Sequence, residues 1–353
     1  MSTLFDPIKL GQLQLQNRIV MAPMTRSRAD EKDMPTELHV EYYRQRASAG
    51  LIISEGTHPS KNGKGYCRTP GIFSADHANA WKKVTDAVHT AGGKIVCQIM
   101  HCGRIGHPDN KAPDAETVAP SAIRANDKIF VGDGMKPMAE PRALTTEEIA
   151  DVINEYRQAT IYAMDAGFDG VELHCTSGYL PAQFLSTGTN QRGDQYGGSL
   201  ENRLRFVTEV LDTMISVAGA GRVGMRICPG NPFNDLHDND PEQTFAALLD
   251  KVSPKQLAYL HVIRMPQGPV DNLKLARQHF NGPLIVNDSY SANEAQQVIA
   301  NEQAAAVSFG RDFIANPDLP KRIQNKVALQ TMDPSTLYTP GAKGYTDYPE
   351  AKQ

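Results

Sequence analysis

An alternation along the chain constrains the fold more than any other feature. Eight short apolar runs, each too brief for a helix, are separated by stretches in which apolar residues recur three and four apart. The runs are Ile19–Ala22, Leu51–Ser54, Lys94–Ile99, Val171–His174, Val223–Cys228, Tyr259–Ile263, Pro283–Val286 and Ala305–Phe309. They are rich in β-branched residues and nearly continuous in apolarity, like strands of a parallel sheet covered on both faces. The helical stretches are Thr36–Ser48, Asp76–Ala91, Thr146–Ala166, Ser199–Val217, Pro241–Val252, Asp271–Phe280, Ser291–Ala300 and Asp312–Asn325. The third is introduced by TTEE at Thr145–Glu148, a helix start with acid in its first turn. Eight strands alternating with eight helices predict an α/β fold, a single (β/α)8 TIM barrel. A doubly wound sheet is the runner-up. It would more often carry a GxGxxG fingerprint after its first strand, and Met21–Arg26 (MAPMTR) has none.

Three segments fall outside the minimal barrel. Leu4–Gln16 alternates apolar and polar residues around Gly11, which predicts a hairpin plugging the N-terminal end of the barrel. His101–Thr145, between the third strand and its helix, is too long for an ordinary loop and reads as a lid or pocket wall on the active face. Residues 337–353 form a tail. Without repeats or Gly/Ser linkers, residues 1–353 read as one domain. Lys and Arg total 36 against 40 Asp and Glu, a net charge of −4, which excludes a nucleic acid partner held by a basic field. Cys67, Cys97, Cys102, Cys175 and Cys228 are an odd, scattered set without a CxxC, as in a reduced intracellular protein. No apolar run approaches the ~20 residues that span a bilayer, so the expectation is a cytoplasmic protein with no membrane partner.

In a TIM barrel the chemistry stands at the C-terminal ends of the strands. In order these ends supply Ala22, Pro23, Met24 and Thr25; Glu55 and Gly56; Gln98 and His101; His174, Ser177 and Tyr179; Arg226; Asn287 and Asp288; Gly310 and Arg311. The set is polar with few acids, suited to an uncharged or anionic aromatic ligand better than to a metal. Gly310-Arg311 after the eighth strand, with Asn287-Asp288-Ser289 opposite, suits a phosphate held by backbone N–H groups, or else a strand-ending turn with a solvated Arg. Arg226, set among apolar neighbours, must face a ligand or be paired; a structural ion pair with Glu172 is the alternative. His174 alone reads equally as a satisfied core histidine. A metal-dependent hydrolase built on His101, His174 and a cysteine would want an HxH or HExxH, and neither occurs.

Val171–Phe206 (VELHCTSGYLPAQFLSTGTNQRGDQYGGSLENRLRF) closely resembles the stretch shared by Old Yellow Enzymes, the FMN-dependent NAD(P)H ene-reductases, in their classical subgroup. NRIVMAPMTR (Asn17–Arg26), CQIMHCGR (Cys97–Arg104), MRICPG (Met225–Gly230), FGRDFIANPDL (Phe309–Leu319) and GYTDYP (Gly344–Pro349) match in order over essentially the whole chain. The resemblance implies an NADPH dehydrogenase or ene-reductase with non-covalent FMN and NADPH or NADH as hydride donor. It would reduce activated C=C bonds of enones and nitroalkenes, with nitro compounds or nitrate esters as further substrates. Ala22, Pro23, Met24, Thr25 and Gly56 would contact the flavin ring. Gln98 would bond its pyrimidine half and Arg226 its N1 and O2, with Asn287, Asp288, Gly310 and Arg311 at the phosphate. His174 and Ser177 would hold the substrate oxygen and Tyr179 would donate the proton, while Met100 and Tyr345 would line the substrate pocket. The partner would be a small molecule, and the assembly a monomer or homodimer. Three positions depart from the commonest pattern: Ser177 replaces a His or Asn, Met100 a Trp, and Asn287-Asp288-Ser289 a segment that usually carries Gly. Two rivals remain, a non-catalytic flavin carrier and the longer enoyl reductases, which need a cysteine cluster after the barrel; the last cysteine is Cys228.

Overall fold

The computed structural model describes residues 2–351. Eight parallel strands close into a barrel, numbered here β1 (Ile19–Met21), β2 (Leu51–Ile53), β3 (Ile95–Ile99), β4 (Gly170–His174), β5 (Val223–Ile227), β6 (Tyr259–Ile263), β7 (Leu284–Asn287) and β8 (Ala306–Phe309). They follow one another around the barrel, and β8 pairs β1 to close it, with Phe309 opposite Met21. The structure is therefore the TIM barrel that the alternation predicts.

Alternate strand residues face opposite ways. On β4 and β5, Val171, Leu173, Val223, Met225 and Ile227 pack outward under the helices, among them Thr146–Asp165 and Leu200–Ala218. The inward residues form two storeys. The lower is apolar: Val20, Leu51, Ile53, Val96, Tyr259, Ile285 and Ala306. Leu10, Leu13 and Leu15 join the same cluster from an antiparallel hairpin, Ile8–Leu10 with Leu13–Leu15, so the hairpin does seal the barrel floor. Its turn needs Gly11: φ is +56°, and a Cβ there would stand 2.5 Å from the Gly221 carbonyl oxygen.

The upper storey is polar, a layer that the nearly continuous apolarity of the runs does not announce. Gln98 Nε2 donates to Glu172 Oε1 (2.8 Å), Glu172 Oε2 meets His261 Nδ1 (2.9 Å), and His261 Nε2 meets Ser308 Oγ (2.7 Å), all fully enclosed. Burial and the nearby Arg226 hold His261 below the usual imidazole range. Burial pushes the Glu172 carboxyl up, but His261, Arg226 and Gln98 outweigh it and leave it below the usual range, hence ionised. A neutral His261 therefore donates from Nδ1 and accepts from Ser308. One or two polar residues per short run leave the run looking largely apolar, yet on closure four strands align one each.

The last predicted helix, Asp312–Asn325, is two: Arg311–Ala315 and Leu319–Gln324. Pro317 forces Asn316 out of helical geometry (φ −130°, ψ 84°), and Pro320 opens the second helix. The long segment after β3 contains a hairpin, Lys128–Phe130 with Met135–Pro137, and a two-residue parallel pair, Val118–Ala119 with Arg142–Ala143. Among the described residues no helix is long and apolar enough to cross a membrane.

Candidate active site

A cavity of about 600 Å³ opens at the C-terminal ends of β1, β5, β7 and β8. Ala22, Pro23, Met24 and Thr25 form one wall, Arg226 the base, and Asn287, Asp288, Gly310 and Arg311 the far end. The structure thus brings nine of the sequence-predicted residues around one space. Arg226 is its most informative member. Its Nη2 donates to Asn287 Oδ1 (2.6 Å), while Nε and Nη1 are buried without a partner. The ion pair with Glu172 does not form, because Gln98 and His261 occupy that carboxylate. Arg226 lines the cavity, and a buried cation with two unpartnered donors leaves room for an acceptor from outside the chain.

The second half of the site lies one strand over. His174 is paired in register with Arg226 across β4 and β5, so the imidazole stands beside the guanidinium. Burial, with Arg226 and His261 adding to it, depresses His174 well below the usual imidazole range, so the ring is neutral near pH 7. Its Nδ1 has no partner, so it is not a satisfied core histidine. After β4 the backbone turns through two left-handed residues, Ser177 (φ +59°) and Gly178 (φ +75°), which sets Tyr179 at the start of helix Leu180–Leu185. The rings of His174 and Tyr179 are 5.0 Å apart. Burial, with Tyr66 beside it, raises the Tyr179 phenol well above its usual range, so it keeps its proton.

Two residues that sequence reasoning missed complete this half. Tyr66 Oη lies 3.1 Å from Tyr179 Oη, and Asn234 Nδ2 donates to the Ser177 carbonyl (2.7 Å) and reaches Tyr66 Oη (3.5 Å). Both stand on active-face loops, after β2 and β5, and that position is the only local signal they carry. Gln98 and Gly56, also predicted at the cofactor, are not among the residues that line this cavity. A Cβ at Gly56 would meet Met100 Sδ and Cε at 2.5 Å, so glycine there is what lets the thioether seat. Met100 is buried in one apolar cluster with Tyr179 and with Ile105, Ile129 and Met138 of the long insertion.

A chain with this site has known counterparts. A model of the NADH:flavin oxidoreductase / NADH oxidase family matches residues 3–330. A Leishmania infantum protein described as a probable flavin mononucleotide-dependent alkene reductase is 42% identical over 98% of this chain and 97% of its own length. The chain belongs to this flavin oxidoreductase family. Among solved structures, morphinone reductase in complex with tetrahydroNAD superposes with a TM-score of 0.95 at 45% identity, covering 100% of this chain and 98% of that one. An Old Yellow Enzyme homologue from Zymomonas mobilis gives 0.95 at 41% identity, over 99% and 100%.

Within this family frame one predicted site residue is misplaced. Tyr345 does not line a pocket: it is fully buried, stacked on Tyr42 at 4.0 Å between centroids, with Arg28 4.7 Å from its ring centroid. The tail residue at the cavity is Tyr338, which is exposed and lines it with Leu337 and Met332. Arg26 and Arg28 draw the tail there by donating to the carbonyls of Leu337, Thr336, Gly341 and Gly344. Among the described residues no cluster of His, Cys, Asp or Glu is arranged to hold a metal.

Proposed function

We propose that this chain is an FMN-dependent ene-reductase that uses NADPH or NADH to reduce electron-poor C=C bonds. The observation that carries the reading is Arg226, a buried cation with two free donors on the wall of a cavity of about 600 Å³. Those donors suit the N1 and O2 edge of an isoalloxazine, which gains negative charge on reduction. Ala22 to Thr25 and Gly56 would flank the ring, with Gln98 at its pyrimidine edge. Asn287, Asp288, Gly310 and Arg311 would take the phosphate end. Bound there, FMN supplies hydride relay between a reduced nicotinamide and the alkene.

The chain's own residues polarise the substrate and move the proton. His174, neutral and with an unused nitrogen, holds the carbonyl or nitro oxygen by hydrogen bonding, and Ser177 would be the second donor to that oxygen. As negative charge builds on that oxygen the bond strengthens, which lowers the barrier to hydride arrival at Cβ. Tyr179 O–H delivers the proton to Cα. The Tyr66 hydroxyl, 3.1 Å away, can then donate to the phenolate.

The test is the visible spectrum of the purified protein. A yellow chromophore released by boiling and identified as FMN, bleached anaerobically by NADPH or NADH and restored by 2-cyclohexenone, supports the whole cycle. A chain that takes up no FMN refutes it, and one that binds FMN without turnover is a carrier.

A further inference from the structure

The turn after β7 carries a backbone problem. Asp288 and Ser289 both adopt left-handed φ, +84° and +54°, a region glycine enters freely and a residue with a Cβ does not. The same turn walls the cavity with Asp288, Ser289 and Tyr290. Its other side faces a separate groove that holds Arg264, the residue directly after β6.

Arg264 touches every part of the turn without lining the cavity. Its backbone N–H donates to the Asn287 carbonyl (3.0 Å). Its Nε donates to the Asp288 carbonyl (2.7 Å) and its Nη2 to the Ser289 carbonyl. The guanidinium carbon lies 3.7 Å from the centroid of the Tyr290 ring. Nη2 also reaches Glu294 (3.6 Å), the acid that closes the capping box with Ser291 at the start of helix Ala292–Ala300. In a trans peptide, C=O and N–H point in opposite directions. Two carbonyls drawn toward Arg264 therefore turn the N–H groups of Ser289 and Tyr290 the other way, to the cavity side, where paired N–H groups bind anions.

We propose that Arg264 is a positioning residue for the cofactor phosphate: it holds the glycine-free turn in its left-handed form and thereby sets the two N–H donors. The proposal rests on the FMN reading above and concerns only the phosphate end, so riboflavin, which has the ring and ribityl chain but no phosphate, is its control.

The full-length apoprotein is titrated with FMN and separately with riboflavin, following flavin fluorescence. Loss of a charge-assisted pair of bonds predicts that Arg264→Ala weakens FMN by roughly tenfold or more, while riboflavin changes by less than about twofold. In an Asp288→Gly background, where the turn needs less bracing, the same substitution should cost FMN less than about threefold. Arg264→Lys, which reaches one carbonyl at a time, should fall between and serves if the alanine variant does not fold. Equal weakening of FMN and riboflavin, or an unchanged loss in the Asp288→Gly background, overturns the proposal. Absence of any flavin binding by the unsubstituted chain instead overturns the FMN assignment itself.

Discussion

The turns after β4 and β7 have the same shape and different supports. Each places two consecutive residues in the left-handed region, Ser177-Gly178 in one and Asp288-Ser289 in the other. The first uses a glycine and two neutral clasps, Asn234 to the Ser177 carbonyl and Gln183 to the Gly178 carbonyl. The second has no glycine and uses a charged residue that binds two carbonyls and packs on a ring. Left-handed geometry in a residue with a Cβ costs on the order of 1–2 kcal/mol, so the glycine-free turn needs the stronger support. Under the proposed function the comparison also separates tasks: the first turn would aim Tyr179 at the reacting carbon, and the second would hold the phosphate, which takes no part in the reaction.

The largest test of that division is Tyr179→Phe. It should slow reduction of 2-cyclohexenone by roughly 10²–10⁴, the usual contribution of a general acid, while stopped-flow reduction of the flavin by NADPH stays nearly unchanged. Equal damage to both half-reactions would show that the β4 turn shapes the site and does not supply the proton. Next in size is Gly178→Ala. Its φ of +75° and a Cβ only 2.7 Å from Asn234 Cβ and 2.8 Å from the Phe233 oxygen predict a loss of about 2 kcal/mol or more in denaturant unfolding.

Asn234→Ala should lower the alkene half-reaction by about tenfold, the worth of one buried hydrogen bond left unmade, again without touching flavin reduction. Asp288→Gly should have the smallest effect, a gain of about 0.5 kcal/mol, as relieved strain exceeds the added entropy of the unfolded chain; a loss would mean that the Asp288 side chain itself supports the turn.

The pH dependence should separate the two ends further. Burial raises Tyr179 and depresses His174, so the acid stays protonated and the imidazole neutral through the neutral range. The alkene half-reaction should therefore be flat from about pH 6 to 9. FMN affinity should instead fall on acidification through about pH 6, where a phosphate monoester gains its second proton. A descending limb below pH 9 in the alkene step would contradict a buried, protonated Tyr179.

The barrel was legible because its signal is local: apolar runs of fixed length, helix starts such as Thr145–Glu148, and a glycine where the floor hairpin turns. The cavity wall from Ala22 to Thr25, Arg226 and the ends of β7 and β8 could be read because strand ends converge by topology. What the sequence hid depends on contacts distant along the chain. The Gln98–Glu172–His261–Ser308 layer exists only once four strands align. Tyr345 and Tyr338 are both tail tyrosines, and only the grip of Arg26 and Arg28 decides which one reaches the pocket. Tyr66 and Asn234 lie on irregular loops with no periodicity to read.

The tail has a further consequence, for biosynthesis. Leu337 shares the cavity wall with Met24 and Thr25, and its carbonyl is bound by Arg26, 311 positions earlier. A ribosome-bound chain can complete the floor hairpin and most of the barrel while this wall is still missing. Under the proposed function cofactor capture would follow synthesis of the tail, and a chain stopped before residue 332 would have a barrel whose cavity lacks Met332, Leu337 and Tyr338. Flavin content would then report full-length synthesis as well as folding.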